Sequence, residues 1–290
     1  MRHPIDVVVP VYEARAHVEA CLASVLRHAR GDWRLVLIDD ASGDPQLIAH
    51  LEKVAARHER VVLLRNETNR GFVFTANRGM RQAEGRDVVL LNSDTVVTRG
   101  FLQKLSACAY IDDSTGLVSP LSNNASLCSV PRFLEENEIP ESLTADQFAV
   151  LVDRASRKRY PEIVTPVGFC MFIRNDLIER IGFLDEENFP RGYGEENDYS
   201  ERARAEGFCA RLCDDLFIAH AGSASFGNER PARQAAHNDV MDRLHPTYHA
   251  RVQEFVRDNP LSEVHQDLDR ELEGWKRKGF WGRRLRLAGF

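Results

Sequence analysis

Acidic and polar side chains follow each of the first four apolar segments of the chain. They include Glu13, Asp39-Asp40, Asn69-Arg70 and Asn92-Ser93-Asp94. If these segments form neighbouring parallel strands, the side chains meet at the carboxyl edge of the sheet, where open α/β sheets bind their ligands. Carboxylate and amide oxygens gathered at one edge could hold a divalent metal ion or a polar ligand.

The segment after the first apolar run, Val11 to Arg15, contains no glycine. It therefore lacks the GxGxxG turn of dinucleotide-binding proteins, and no GxxxxGK[ST] loop occurs elsewhere, which disfavours a dehydrogenase and a P-loop enzyme. A nucleotide diphosphate bound without a Gly-rich loop needs another group to neutralise its charge. Mg²⁺ or Mn²⁺ on Asp94 would do so, because both ions bridge carboxylates to phosphates. A helix cap is the alternative role for Asp94.

A second acidic group lies farther along the chain. Glu195-Glu196-Asn197-Asp198 follows Gly192-Tyr193-Gly194, and glycines allow a backbone to come close to a ligand. A carboxylate at a helix N-terminus is favoured by the helix dipole, so it could remove a proton from a hydroxyl group. On a helix, Glu195, Asp198 and Arg202 share one face and Glu196 lies about 100° around. A solvated face with an i,i+4 ion pair is the alternative.

Short apolar runs alternate with helical patterns through the first 120 residues. Continuous β-branched runs indicate strands covered on both faces, and strand–helix–strand spacing indicates right-handed parallel crossovers. We therefore expect an α/β fold with a doubly wound, mostly parallel sheet and helices on both faces. The predicted strands are 6–10, 33–39, 60–64, 87–91 and 116–119, and the predicted helices are 14–29, 45–58 (capped by Asp44), 72–83 and 102–111.

After Pro120 this alternation ends. The second half is where an α/β enzyme would assemble its acceptor side, and no linker or internal repeat divides the chain. The pattern predicts a loop at 122–126, helices at 145–155 and after Asn197, strands at 167–173 and 211–219, and polar helices from 231 onward.

The formal net charge of −6 is unevenly distributed. Residues 275–290 carry +6 and include aromatic side chains, whereas the first 274 residues carry −12. An acidic body argues against a nucleic-acid-coating protein. Basic residues interleaved with tryptophan, phenylalanine and leucine are typical of interfacial segments, so we expect residues 275–290 to contact an anionic membrane surface. A solubilising helix end is the alternative.

The chain shows no signal-peptide pattern and no run of the roughly 20 apolar residues that span a bilayer. Its six cysteines lack zinc-ribbon or CxxC spacing, so they are expected to be reduced and mostly buried. These observations predict a cytoplasmic protein, peripheral at the inner face of the membrane if residues 275–290 bind lipid.

Five motifs occur in order at the predicted strand ends and before the acidic helix. They are Pro10-Val-Tyr12, Leu37–Ser42, Asn69–Phe72 with Ala76–Gly79, Leu90–Asp94, and Gly192–Asp198 before Arg202 and Gly207-Phe208. Together they resemble the family 2 glycosyltransferases of GT-A fold, over roughly residues 5 to 226. The resemblance implies a GT-A domain at 1–226, with a nucleotide-binding half at 1–120 and an acceptor-binding half at 121–226. Residues 227–290 would form a helical extension.

The resemblance implies a nucleoside pocket and a metal site. The pocket would contain Pro10, Tyr12 and Asp40, with Asp40 accepting from a pyrimidine N3–H. Arg70 and Asn77 would lie nearby, and the strand-end residues Glu13, Asn92 and Ser93 are counted as nucleotide-binding. Asn92-Ser93-Asp94 stands where the family has its DXD motif, and because asparagine replaces the first acid, only Asp94 is expected to bind Mg²⁺ or Mn²⁺ directly. His220 matches a histidine that completes the metal site in some GT-A enzymes; an ordinary hydrogen-bonded histidine is the alternative.

The acidic motif corresponds to the acceptor side of the family. The spacing to Arg202 aligns Glu196 with the family's catalytic base, but the family often has aspartate there, so the choice between Glu196 and Asp198 stays open. Gly168, Tyr193, Gly194 and Glu195 are expected to bind the acceptor.

The motifs together predict an inverting glycosyltransferase. It would transfer a sugar from a nucleotide-diphospho-sugar, UDP- or dTDP-linked, to a glycan, such as a lipid-linked glycan in bacterial polysaccharide synthesis. One alternative is a catalytically silent sugar-nucleotide-binding subunit of a glycan-assembly complex. Another is a nucleotidyltransferase, which would require a basic Gly-rich loop after the first strand; Val11 to Arg15 does not supply one. No nucleic acid partner is expected.

Overall fold

The N-terminal half forms the alternating strands and helices expected of it. The computed structural model describes residues 3–190, 192, 194–222 and 238–277. The first elements are β1 (Ile5–Val11), α1 (Arg15–His28), β2 (Trp33–Asp39), α2 (Pro45–Arg57), β3 (Val61–Arg65), α3 (Phe72–Met80), β4 (Asp87–Leu91), β5 (Thr95–Val96), α4 (Phe101–Ala109) and β6 (Thr115–Leu121). Asp44 caps α2 as expected, since its side chain accepts a hydrogen bond from the Gln46 N–H.

The second half is less regular. It contains a short 3₁₀ helix (Ser126–Cys128), α5 (Ala145–Ala155), β7 (Glu162–Ile163), β8 (Cys170–Ile173), α6 (Asn175–Ile181), α7 (Glu195–Ala205), β9 (Cys209–Phe217), β10 (Ala219–His220), α8 (Tyr248–Asp258) and α9 (Ser262–Arg277). Residues 238–244 are also helical.

Eight strands form one mixed sheet in the order β3-β2-β1-β4-β8-β6-β9-β7. The neighbours among β3, β2, β1 and β4 are parallel, and so are β6 and β9. β8 runs antiparallel to both β4 and β6, and β7 runs antiparallel to β9. All residues of β1, β4 and β6 are buried. Because successive strand residues point to opposite faces, both faces of the sheet are covered, which confirms the α/β prediction.

Two short strands outside the main sheet bring distant residues together. The predicted strand at 211–219 ends at Phe217, and the chain then pairs again as β10 against β5. In this antiparallel pair His220 lies opposite Thr95. His220 is thereby placed beside Asp94, 126 positions earlier in the sequence.

The C-terminal helices pack on the sheet domain. In α9, Leu268 and Leu272 are buried in the main core, and α9 lies against α5. At the start of α8, Tyr248 packs with Phe189 and Met241 in a smaller cluster. None of the helices in the described ranges is long and apolar enough to cross a bilayer.

Candidate functional site

The loops after β1 and β2 are hydrogen-bonded to each other. Glu13 and Ala14 have positive φ angles of 53° and 54°, a conformation that is uncommon outside glycine and is found at functional loops. The Glu13 carboxylate accepts from the Gly43 N–H at 2.7 Å, and the Glu13 N–H donates to the Ser42 hydroxyl at 3.0 Å. Tyr12 is 44 % exposed at this edge, so its ring is available to a ligand. Pro10 is buried.

The carboxylate of Asp40 organises the turn that begins α3. It accepts from the backbone N–H groups of Arg70 at 2.8 Å and Gly71 at 2.9 Å, and from the Asn66 amide at 2.6 Å. Asp40 is only 4 % exposed. The guanidinium of Arg70 lies 4.0 Å over the ring of Phe74 on the exposed side of this turn. Asp40 and Arg70 are therefore brought together as expected, through the backbone of Arg70.

Asn77 is used inside the fold. It is fully buried, and its amide donates to the Leu184 carbonyl and to Glu186, both at 2.8 Å, while its oxygen accepts from the Leu184 N–H at 3.0 Å. The side chain thus joins α3 to the loop before α7. Its polar atoms are taken up by these internal hydrogen bonds, and its proximity to the nucleotide stays a prediction.

Asp94 and His220 form a close pair at the end of β4. Nε2 of His220 lies 3.4 Å from Oδ1 of Asp94, and both side chains are largely buried. Burial alone would raise the pKa of Asp94, but the hydrogen bond and positive charge of His220 hold that pKa below its usual value. The backbone of His220 is fixed by Asn123, whose side-chain oxygen accepts from the His220 N–H at 2.9 Å.

The donor set of this pair fits a divalent metal ion. Nδ1 of His220 lies 2.6 Å from the Asn124 carbonyl, a partner that can only accept, so Nδ1 carries the proton. When His220 is neutral, Nε2 presents its lone pair on the side of Asp94, an arrangement common in metal-binding histidines; when His220 is protonated, Nε2 donates to Asp94 instead. Among the described residues no cluster of three or more potential ligands occurs. A metal held here would need oxygen ligands from a substrate or water, as Mg²⁺ often does.

A cavity of about 590 Å³ opens beside the Asp94–His220 pair. Its lining includes His17 from α1, Asn124, Glu136 and Glu138. Amides and carboxylates are the groups that hydrogen-bond sugar hydroxyls. Asn92 and Ser93, which precede Asp94, are half-buried, and the Asn92 N–H donates to the Phe169 carbonyl at 2.9 Å.

Glu196 lies at the N-terminus of α7 against Gly168. A Cβ at Gly168 would come within 3.7 Å of the Glu196 carboxyl carbon, and the Gly194 N–H donates to Glu196 Oε2 at 3.3 Å. Glu196 is half-buried and is in no ion pair with another described residue. Burial raises the pKa of Glu196, whereas the N–H groups at the start of α7 oppose that rise. Gly168, Gly194 and Glu196 are thus brought together.

The two neighbouring acids differ from Glu196. Glu195 is 6 % exposed and one of its oxygens has no hydrogen-bond partner; burial and the charge of Glu196 raise its pKa well above the usual value. Asp198 is 3 % exposed, and its oxygens accept from Arg202 Nε and His245 Nε2, each at 2.8 Å. Glu195 therefore holds a proton more readily than Glu196, and Asp198 is a bound structural carboxylate. Tyr193 lies outside the described residues, as do residues 278–290 of the basic tail.

The architecture and the ordered strand-end residues agree with the comparisons to known proteins. The family model "Glycosyl transferase family 2" matches residues 6–182, more than half of the chain. This chain belongs to glycosyl transferase family 2. Membership supports glycosyltransferase activity over the alternative of a nucleotidyltransferase.

Relatives of this glycosyltransferase are found in bacteria. It is 21 % identical to the uncharacterized glycosyltransferase EpsJ of Bacillus subtilis (strain 168) over 250 residues, covering 86 % of this chain and 68 % of EpsJ. It is 30 % identical to the Escherichia coli UDP-Glc:alpha-D-GlcNAc-diphosphoundecaprenol beta-1,3-glucosyltransferase WfgD over 189 residues, covering 63 % of this chain and 71 % of WfgD. A match at 30 % identity to the putative teichuronic acid biosynthesis glycosyltransferase TuaG of Bacillus subtilis covers 34 % of this chain and only 39 % of TuaG.

Solved structures share the fold of this glycosyltransferase. The mannosyltransferase PcManGT from Pyrobaculum calidifontis, in complex with GDP-Man and Mn²⁺, superposes with a TM-score of 0.63 at 18 % identity, covering 100 % of this chain and 80 % of PcManGT. TarS 1–349 from Staphylococcus aureus, in complex with UDP-GlcNAc, gives a TM-score of 0.54 at 19 % identity, covering 83 % of this chain and 65 % of that chain. These likenesses confirm the GT-A fold.

Sequence reasoning missed four residues of the glycosyltransferase that contact the candidate site. Two are asparagines that hold site loops, Asn66 at Asp40 and Asn123 at His220. The other two, His245 and Tyr248, come from the C-terminal extension and reach α7. Asn123 lay in a segment interpreted as a plain turn, and His245 carried no local signal, because its partner Asp198 is 47 positions away.

Proposed function

We propose that this glycosyltransferase is a metal-dependent, inverting enzyme that uses a nucleotide-diphospho-sugar donor and a glycan acceptor. The observation that carries the proposal is the environment of the Glu196 carboxylate. It is the carboxylate at the start of α7 that is neither bound to a cation in the described structure nor deeply buried. A single displacement at the anomeric carbon needs one base to take the proton of the acceptor hydroxyl.

The donor would bind along the carboxyl edge of β1, β2 and β4. The exposed ring of Tyr12 and the polar turn held by Asp40 support a nucleoside site there. Arg70, on the same turn, is available to the donor. Glu13, Asn92 and Ser93 stay predicted donor contacts, since all three lie at the same edge. A pyrimidine nucleotide, UDP or dTDP, is the predicted carrier.

Asp94 and His220 would hold the metal ion. A divalent ion there would neutralise the diphosphate leaving group as its bond to the sugar breaks. One carboxylate and one imidazole leave most coordination positions to the diphosphate and water, which supports Mn²⁺ or Mg²⁺ rather than a closed structural metal. The Mn²⁺ in the complex of PcManGT agrees with this type of ion.

Glu196 would act as the base and Glu195 as its protonated neighbour. The raised pKa of Glu195 leaves the negative charge on Glu196, and an ionised carboxylate can accept the acceptor proton. Asp198 is a weaker choice for the base, because Arg202 and His245 occupy both of its oxygens. Gly168, Tyr193, Gly194 and Glu195 remain the proposed acceptor-binding residues, because the glycines leave space beside Glu196.

We also propose a lipid-linked glycan as the acceptor, which residues 275–290 would help to reach at the cytoplasmic face of the membrane. The name of the relative WfgD specifies UDP-Glc as donor and a GlcNAc-diphosphoundecaprenol acceptor. The body of the enzyme is acidic and would be repelled by anionic lipid, so the basic residues would have to supply the attraction. The division into a catalytic unit at 1–226 and an extension at 227–290 belongs to this proposal.

A donor screen tests the proposal. UDP-, dTDP- and GDP-linked sugars are incubated with the full chain and a GlcNAc-diphosphoundecaprenol acceptor, with Mn²⁺, with Mg²⁺ and with EDTA, and the released nucleoside diphosphate is measured. We expect metal-dependent turnover with a pyrimidine-linked donor, and a β-linked product from an α-linked donor by NMR. Turnover that is equal in EDTA, or no turnover with any donor, contradicts the proposal.

A matched pair of variants tests the base. Glu196→Gln should lower turnover by about 10²- to 10⁴-fold while Mn²⁺-dependent donor binding by calorimetry is retained. The control Glu254→Gln removes an exposed carboxylate on α8 and should leave both unchanged. Turnover of Glu196→Gln within a few-fold of the unmodified enzyme would show that another group is the base.

A further inference from the structure

The C-terminal extension touches the catalytic helix at regularly spaced positions. His245 contacts Asp198 of α7, and Arg251 forms an ion pair with Glu201, one turn farther along α7. Tyr248, between them in sequence, is 5 % exposed and lies close to Thr165. His245 lies in the turn before α8, and Tyr248 and Arg251, three residues apart, share one face of α8.

These contacts reach the two residues that follow Glu196. Nε2 of His245 lies 2.8 Å from Oδ1 of the buried Asp198. The Thr165 hydroxyl, which lies close to Tyr248, donates to the side-chain oxygen of Asn197 at 3.0 Å. Asp198 is therefore bonded directly to His245, and Asn197 is bonded to a side chain that lies beside Tyr248.

Asp198 is the stronger of the two links. Its carboxylate is buried, and an unpaired buried charge costs several kcal/mol. Arg202, on the same helix, satisfies Oδ2, and its other N–H groups donate to the Ile181 and Phe183 carbonyls at 2.9 Å. Oδ1 depends on His245. The carboxylate therefore joins three segments: α7, the turn after α6 and the extension.

The first turn of α7 transmits this restraint to Glu196. The Asp198 N–H donates to the Gly194 carbonyl at 2.9 Å, and the Gly194 N–H donates to Glu196 Oε2 at 3.3 Å. A helix turn whose Asp198 side chain is fixed cannot rotate, so the direction of Glu196 toward Gly168 is fixed as well. Catalytic groups need support of this kind, because a misplacement of about 1 Å can cost 10²-fold in rate.

We propose that His245 is a positioning residue for Glu196, and that the extension supports the catalytic unit through the hydrogen bond from His245 to Asp198. The inference rests on the proposed role of Glu196 as the base. Since a carboxylate only accepts, Nε2 of His245 carries the proton in this contact. A glutamine at position 245 can supply an amide N–H in place of Nε2–H, whereas an alanine cannot.

Three full-length variants test this inference. His245→Ala removes the donor, His245→Gln keeps one, and the control His249→Ala removes a half-buried histidine that pairs with Asp242 on the same segment. Hydrogen–deuterium exchange of residues 194–202 reports the order of α7 without any substrate. We expect about 10-fold faster exchange in His245→Ala and unchanged exchange in the other two variants. Unchanged exchange in His245→Ala overturns the proposal.

Kinetics separate positioning from general stability. With the best donor of the screen and Mn²⁺, His245→Ala should lower kcat by about 10- to 100-fold with the donor KM within about threefold of the unmodified enzyme. His245→Gln should recover most of kcat, and His249→Ala should keep it. An unchanged kcat in His245→Ala, or a fall of kcat in His245→Gln as large as that in His245→Ala, overturns the inference. If Glu196→Gln is active, the proposed role of Glu196 as the base is wrong. The exchange measurement does not depend on that role, and it still decides whether His245 orders α7.

Discussion

Phe169 stacks on the imidazole of His220, with ring centroids 5.2 Å apart and planes inclined by 22°. Its neighbour Gly168 packs against the carboxyl group of Glu196. The short segment before β8 therefore touches the candidate metal pair on one side and the candidate base on the other. An inverting transfer needs the leaving group and the base on opposite sides of one sugar carbon. The segment therefore lies between the two groups whose distance matters for the proposed reaction, the candidate metal pair and Glu196.

The Asp94–His220 pair should determine metal-dependent nucleotide binding. Asp94→Asn and His220→Ala should each weaken binding of UDP in the presence of Mn²⁺ by at least about 10-fold, measured by isothermal titration calorimetry. His220→Ala should also reduce the preference for Mn²⁺ over Mg²⁺, because Mg²⁺ prefers oxygen ligands and loses less when an imidazole is removed. The control Asp32→Asn, at a carboxylate that is 71 % exposed, should bind normally. Unchanged affinity in both site variants would contradict the assignment.

The pH dependence of turnover should report the environment of Glu196. Burial raises the pKa of Glu196 above its usual value, and a base acts only when it is deprotonated. The acidic limb of the kcat/KM profile should therefore lie above the usual pKa of an exposed glutamate, about 4.3, and turnover should fall as the pH drops through the raised pKa. The profile is measured by nucleoside diphosphate release between pH 4 and 8. An acidic limb at the exposed-glutamate value would show that the base is a solvated carboxylate.

The sequence predicted the elements whose signal is local. β2 and β4 have the predicted bounds because each is a continuous apolar run between polar residues. The direction of a strand in the sheet leaves no local pattern in the sequence. The sequence therefore predicts β8 as a strand, but not as the antiparallel partner of β4 and β6. The two-residue strands β5 and β10 are also too short to leave a periodic pattern.

The residues of the candidate site also separate into those with a local sequence signal and those without one. The strand-end acids were found from their position, since parallel strands gather their carboxyl ends at one edge. The choice between Glu196 and Asp198 could not be made, because it depends on which carboxylate is paired. The pairing partner His245 belongs to a segment that joins α7 only in the folded chain.

Asn77 should matter for stability rather than for donor binding. Asn77→Ala removes three hydrogen bonds in the interior and leaves the Leu184 backbone groups without them. An unsatisfied buried polar group costs about 1–3 kcal/mol, so the free energy of unfolding should fall by about 2–6 kcal/mol for the two Leu184 groups together. Urea unfolding followed by circular dichroism measures the change. A variant with an unchanged free energy of unfolding that binds UDP more weakly would instead support a role for Asn77 in the nucleoside pocket.

Gly79 should be required by the packing of α3 on the sheet. A Cβ at this position would overlap Val8 Cγ1 and lie 2.6 Å from Ile38 Cδ1, side chains of β1 and β2. Gly79→Ala should therefore destabilise the fold by about 1–3 kcal/mol, the usual cost of overpacking. Gly274→Ala is a matched control, because that position on α9 has no atom within 4 Å of the added Cβ. It should stabilise the fold by about 0.5–1 kcal/mol through helix propensity. Urea unfolding measures both variants, and a Gly79→Ala protein as stable as Gly274→Ala would show that α3 can move away from the sheet.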